Sequence, residues 1–322
     1  MLATEIMRRV REIQVRTGRQ VADVLAGEYV SVFKGSGIEF DEVRAYTPGD
    51  DIRSIDWNVT ARMGEPFVKR YVEERQLTLM LMADISASQD FGSSERSKRE
   101  CAAEFCALLA FSASRNDDKV GLLLFHSGIE QYIPPRKGQK HALRVVREVL
   151  AHGEEASPLD QPEAPKRPSL RERFFPGRRR LRAPREGTQI ARALEFFLSI
   201  NKRRSVCFVV SDFIDENYEQ ALRTANRKHD VVAVLITDPR ELEIPAVGLV
   251  TLRDAETGAT RVVDAGSEIF RRTVREQAEK RIEDLRKRLA SSGIDLIHID
   301  AAGSVVDPLV RFFRARERRT RR

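Results

Sequence analysis

Apolar residues follow two rhythms along this chain, and their alternation predicts its architecture. Leu77–Ala83, Val120–Phe125, Val206–Val210 and Val231–Ile236 are nearly unbroken apolar runs of strand length, the pattern of strands covered on both faces. Ile294–Ile299 reads as a last strand. Between the runs, inward positions recur at helical spacing. Cys101, Phe105, Leu108, Leu109 and Ser112 lie on one stripe of a helix starting at about Ser94. Ile190, Ala193, Leu194, Phe197 and Leu198 form the stripe of another helix, for which Thr188 is the predicted N-cap. Further helices are predicted at about 139–151, 216–228 and 267–290, with a short one at the C-terminus. The reversal His126-Ser127-Gly128 joins Val120–Phe125 to Ile129–Ile133 as a hairpin, which places an antiparallel strand at a sheet edge. Residues 250–253 and 260–263, joined through Glu256-Thr257-Gly258, read as a surface hairpin. Strands alternating with long helices mean an α/β fold with a mostly parallel sheet and helices on both faces.

The flanks are less regular. Residues 2–26 read as an amphipathic helix with Leu2, Ile6, Val10 and Ile13 on one side. Residues 29–75 mix turn signals (Gly35-Ser36-Gly37, Pro48-Gly49-Asp50) with strand-like pieces at Glu39–Tyr46 and Pro66–Val72. Residues 153–186 hold six prolines and no sustained period, the pattern of a long, mobile surface loop. The expected organisation is an N-terminal helix and β-rich segment (1–75), an α/β domain (76–305), and a C-terminal helix with an Arg-rich tail (306–322).

Composition narrows the classes. The 322 residues are 41% hydrophobic and 33% charged, enough for an ordinary core. No stretch approaches the roughly 18 apolar residues that span a bilayer. The N-terminus interleaves charge with apolar residues, unlike a signal peptide, so a soluble protein is expected. Three cysteines exclude a disulfide scaffold, and the five histidines lack zinc-site spacing. Both fit a cytoplasmic location. The net charge of +7 is concentrated in residues 166–185, with nine Lys/Arg against one acid, and 311–322, with seven Arg against one Glu. The rest of the chain is net acidic, so these runs read as solvated, mobile segments rather than a basic binding face.

In open α/β sheets, ligands bind beyond the carboxyl ends of the strands, and four strands here end in an acid: Asp84, Asp212, Asp238 and Asp300. The sharpest local signal is Asp84-Ile85-Ser86-Ala87-Ser88. One carboxylate and two hydroxyls at alternate positions converge where the chain turns over the sheet edge. Oxygen donors without nitrogen or sulfur favour Mg²⁺, Mn²⁺ or Ca²⁺. Two hydroxyls need help to complete about six ligands, and Thr188 and Asp212 are the candidates, with Ser211 a weaker one. Such a site keeps much of the ion's positive charge and attracts a carboxylate from another protein. The competing reading makes Ser86 and Ser88 caps of the following helix and Asp84 an acceptor of backbone amides.

This strand–Asp-x-Ser-x-Ser–helix unit, with Thr188 and Asp212 downstream, resembles the metal-ion-dependent adhesion site of von Willebrand factor A domains. The resemblance implies that Ser86 and Ser88 are direct metal ligands and that Thr188 is a direct or water-mediated one. Asp84 and Asp212 become acceptors that orient water. Upstream, Gly35-Ser36-Gly37-Ile38-Glu39-Phe40, Arg44-Ala45-Tyr46, Pro48-Gly49-Asp50-Asp51-Ile52-Arg53, Ile55-Asp56-Trp57 and Ala61-Arg62 are similar to the signature of the bacterial family called domain of unknown function 58. That likeness implies a von Willebrand A-like, Rossmann-like core and a partner among MoxR-type AAA+ ATPases, in complex maturation or stress response. Many members carry N-terminal membrane helices, a feature this chain departs from.

The signature segment concentrates acids and bases, read as ion-paired strands covering the sheet or as a partner-docking surface built on Arg44, Asp50, Arg53, Asp56 and Trp57. Trp57 is expected to anchor the core of that cover. No nucleophile–base pair accompanies the Asp-x-Ser-x-Ser unit, so no catalytic residue is assigned. His126 reads as a satisfied loop histidine. The chief enzyme alternative, a metal-dependent phosphoryl hydrolase of the haloacid-dehalogenase kind, needs a second acid where Ser86 stands. Nucleic-acid binding through the Arg-rich segments, with Phe174, Phe175, Phe312 and Phe313 available for stacking, is the remaining alternative.

Overall fold

The structure, a computed structural model, describes residues 8, 11–13, 38–73, 77–94, 96–151, 188–255 and 259–320. The expectations for Leu2, Ile6 and Val10, the Gly35-Ser36-Gly37 turn, the 153–186 loop and the Glu256-Thr257-Gly258 turn lie outside the described residues.

Strand β1 (Ile38–Ala45) pairs antiparallel with β2 (Phe67–Glu73), with helix α1 (Trp57–Met63) between them in sequence. The main domain runs β3 (Thr78–Asp84), α2 (Lys98–Arg115), β4 (Lys119–Phe125), β5 (Ile129–Arg136) and α3 (Gln139–Ala151). It continues through α4 (Ile190–Ile200), β6 (Val206–Ser211), α5 (Glu219–Lys228), β7 (Asp230–Thr237) and the short α6 (Pro239–Leu242). The hairpin β8 (Leu249–Arg253) and β9 (Thr260–Asp264) leads to α7 (Glu268–Ser291), β10 (Asp295–Asp300) and α8 (Val306–Thr320).

Six strands form one sheet in the order β10-β7-β6-β3-β4-β5, parallel except for β5 against β4. Pro134 and Pro135 in β5 lack the N–H that a further neighbour would need, which suits an edge strand. The apolar runs work by alternation. Leu79, Leu81 and Ala83 enter one core cluster with α2, α3 and α8, while Met80 and Met82 enter the other with α4, α5 and α7. Successive residues of one strand therefore serve both layers of the fold.

Five expectations are corrected. Helix α2 begins at Lys98, where Ser97 and Glu100 form a reciprocal capping box, rather than at about Ser94. It is also buried nearly all round from Lys98 to Ala113, rather than along one stripe. Thr188 is not the N-cap of α4; that position is Gln189, and the Ile190 N–H donates instead to the Asp215 carboxylate at 2.8 Å. A tertiary acceptor thus replaces the local cap and frees the Thr188 hydroxyl. Trp57 is 66% exposed and anchors no core. Asp56 takes the inward place beside it, accepting from the Asn58 and Val59 N–H groups and pairing with Lys69 at 3.3 Å. Finally, the C-terminal arginines through residue 320 are helical rather than a mobile run. Phe312 and Phe313 are buried, Arg316 pairs with Asp230 and Asp295, and Arg319 pairs with Asp295.

Candidate metal centre

The chain leaves β3 toward β4 on one side and later returns to lay β6 on its other side. The carboxyl ends of β3 and β6 therefore flank a topological switch point, where helices leave a crevice above the sheet. Asp84 ends β3; Ser211 ends β6 and Asp212 follows it.

Both oxygens of the buried Asp84 carboxylate are engaged. Oδ1 accepts the Ser86 N–H at 2.8 Å; Oδ2 accepts the Ser211 hydroxyl at 2.7 Å and the Thr188 hydroxyl at 3.2 Å. Ser86 and Ser88 place their Oγ atoms 3.0 Å apart. Octahedral Mg²⁺ with metal–oxygen distances of about 2.1 Å separates adjacent ligands by about 3.0 Å. The two serines thus already hold the spacing of neighbouring ligands on one ion. Ser86 is buried and Ser88 half-buried, so the pair opens outward.

The backbone beyond β6 is strained at the same place. Phe213 adopts φ 53°, a left-handed conformation unfavourable for a bulky residue, and its N–H donates to Ser211 Oγ at 3.0 Å. That turn holds the Ser211 hydroxyl against Asp84.

Lys98 is the participant that sequence reasoning missed. Its side chain is fully buried, with Nζ 3.0 Å from Asp212 Oδ2 and 2.6 Å from Glu241 Oε1. Burial pulls the ammonium's pKa down, but Asp212 and Glu241 more than offset this and leave it above the ordinary lysine value. A signal was present: Lys98 lies one turn before Cys101 on the stripe that continues through Phe105 and Leu108. A cation on a buried stripe demands a buried anion. Asp212 also accepts the Ile214 N–H at 3.3 Å through Oδ1. Burial raises the pKa of Asp84, and the Asp212 charge adds to the shift.

Among the described residues, no three His, Cys, Asp or Glu side chains gather as a metal-binding group. An ion here would depend on alcohol oxygens, with carboxylates behind them. Such a donor set suits hard cations of the Mg²⁺, Mn²⁺ and Ca²⁺ type.

The other singled-out residues serve the fold of the signature segment. Arg44 grips Asp50 through two parallel hydrogen bonds of 2.9 and 2.6 Å, and that contact, aided by the Thr47 N–H, holds the Asp50 carboxyl down at about 2. Asp56 is the α1 cap already described. Only Arg53 and Trp57 of this group remain exposed. His126 is satisfied by Ser127 at 2.9 Å and Glu130 at 2.8 Å. Asp238 and Asp300 serve turns, accepting from Ser93 and Arg240, and from Ala302.

The strand order, the single antiparallel edge and the Asp-x-Ser-x-Ser turn at the switch point define a von Willebrand A-like domain. The family described as "Protein of unknown function DUF58" matches residues 42–284, and the chain belongs to it. An uncharacterized protein of Mycobacterium tuberculosis is 29% identical over 310 residues, covering 96% of this chain and 89% of that protein. Among solved structures, an aerotolerance-related membrane protein from Bacteroides fragilis is 15% identical, covering 76% of this chain and 99% of that one at a TM-score of 0.44. The VWA domain of SpRpn10 is 11% identical, covering 74% and 95% at a TM-score of 0.36. Among the described residues, no helix is long and apolar enough to cross a membrane.

Proposed function

We propose that this chain is a non-enzymatic, metal-dependent protein-docking module, an adaptor or co-factor of a MoxR-type AAA+ ATPase in complex maturation or stress response. One observation carries the reading: Ser86 and Ser88 stand at ligand spacing beside the Asp84–Thr188–Ser211 network. Ser86 and Ser88 would hold Mg²⁺ or Mn²⁺ directly, with Thr188 beside them and Asp84 and Asp212 behind. The bound ion would supply a Lewis-acidic position for a partner's carboxylate. Asp84 aims its acceptors, Lys98 limits the negative charge, and the Phe213 turn fixes Ser211.

The hydrolase alternative loses ground on the same contacts. A nucleophilic carboxylate needs a free oxygen facing substrate, whereas both Asp84 oxygens are occupied within the chain. The nucleic-acid alternative weakens at the C-terminus, where Arg316 and Arg319 are committed to Asp230 and Asp295.

Calorimetry tests the metal site. Wild-type protein should bind Mg²⁺ or Mn²⁺, and Ser86→Ala/Ser88→Ala should abolish binding while the circular dichroism spectrum is retained. Equal binding by both proteins rejects those ligands. With purified MoxR-type ATPase, association should be lost on adding chelator; association indifferent to chelator rejects docking through the ion.

A further inference from the structure

An apolar groove of about 660 Å³ adjoins the candidate metal centre. Its walls include Phe91, Ile214, Ile244, Val247, Leu252 and Val274. Phe91 directly follows the 3-10 turn (Ala87–Asp90) that carries Ser88, and Ile214 is two residues beyond Asp212. The same two loops therefore build the metal centre and one end of the groove. Strand β8 and helix α7 supply the other end. Phe91, Ile214, Val247 and Leu252 are 44%, 51%, 59% and 43% exposed, an uncommon concentration of large apolar side chains in one place.

Charge indicates what the groove takes. Arg240 and Arg281 line it, while its one acid among the described residues, Glu241, is paired with Lys98, which it shares with Asp212. The groove is thus apolar inside and positive at its margin, and it leads to a centre that attracts a carboxylate. Its volume lies in the range that holds several side-chain-sized groups.

Resting on the metal-docking reading, we propose that the groove receives a peptide segment pairing an acidic residue with a bulky apolar one. The acid meets the metal beside Ser86 and Ser88, and the apolar side chain fills the groove past Ile214. Lys98 joins the two halves, since its partners Asp212 and Glu241 belong to the centre and to the groove wall respectively.

The test selects a random phage-displayed peptide library on the full chain in Mn²⁺. Recovered sequences should pair Asp or Glu with Leu, Ile, Phe or Trp at a fixed spacing, and the synthetic consensus peptide should bind only with Mn²⁺. Val247→Asp and Leu252→Asp, both at exposed positions, should weaken that peptide by at least about tenfold, the equivalent of one aliphatic side chain left in water. Both variants should still bind Mn²⁺ like wild type. If wild-type protein binds no Mn²⁺, the metal reading itself fails. If Mn²⁺ binds but selected peptides lack the acidic–apolar pair, or if both variants bind the consensus peptide undiminished, the groove proposal alone is overturned. Self-association abolished by Val247→Asp would assign the groove to a second copy, and would also overturn it.

Discussion

The two ends of the central sheet use buried polar groups in opposite ways. At the amino end, most polar groups pair off and close, His229 Nε2 being a buried exception. Asp118 accepts the Leu77 N–H at 2.7 Å, Ser205 meets His229 Nδ1 at 3.0 Å, and Asp230 and Asp295 are covered by Arg316 and Arg319. At the carboxyl end, two hydroxyls and one backbone N–H crowd around Asp84, and two further carboxylates, Asp212 and Glu241, share one ammonium. The same strands thus carry an end where acids are matched by donors and an end with surplus acceptors. Stability alone asks only for the first arrangement, because a satisfied pair is the least costly way to bury polarity. Surplus oxygen donors make sense where something else is to be bound.

Lys98 offers the strongest way to break this contrast. Lys98→Met leaves Asp212 and Glu241 without their shared cation, and removing one partner of a buried ion pair costs about 3–5 kcal/mol. Urea unfolding should show that loss, and Lys98→Met/Asp212→Asn should recover part of it. A loss within the scatter of surface substitutions would mean that the cluster is hydrated, and the carboxyl end would no longer stand apart.

The amino end gives a pH signature. Burial, with Lys228 and Arg204 adding repulsion, pushes His229 down to about 4 from the usual 6.5. On acidification the unfolded chain takes up this proton first. The contribution is therefore present above pH 6.5 and is lost as the pH falls toward 4. The shift corresponds to roughly 3 kcal/mol. Urea titrations at neutral pH and near pH 4 should find the acid loss smaller by about that amount in His229→Gln. Parallel profiles for the two proteins would show that His229 is protonated inside the fold.

The sheet was legible in the sequence because doubly covered strands must be apolar throughout, and Leu79 and Met80 serve opposite cores with no polar residue between them. The Asp-x-Ser-x-Ser turn was legible because its groups are adjacent in the chain. What was not legible depended on partners far apart in sequence. Asp215 replaces the cap expected of Thr188 from 25 residues away, and Lys98 meets Asp212 across 114 residues. Trp57 misled for a related reason: its hydrophobicity suggested burial, but the neighbouring Asp56 occupies the inward position through its cap and Lys69. Local pattern specifies elements, whereas the polar cross-connections are written only in the folded geometry.

The smallest expected effect separates two acids on the same edge. Asp238 follows β7 as Asp212 follows β6, and it is equally buried. Its oxygens are consumed locally, accepting from the Ser93 N–H and hydroxyl and from the Arg240 N–H. Asp238→Ala should therefore act as the loss of a helix cap and one tertiary contact, about 1–2 kcal/mol in urea unfolding. Mn²⁺ binding by calorimetry should be unchanged, in contrast to Ser86→Ala/Ser88→Ala, which should lose the ion and little stability. If Asp238→Ala abolished Mn²⁺ binding with the fold intact, the ion would belong to the whole row of strand-ending acids. The hydroxyls gathered at the switch point would then have no special claim on it.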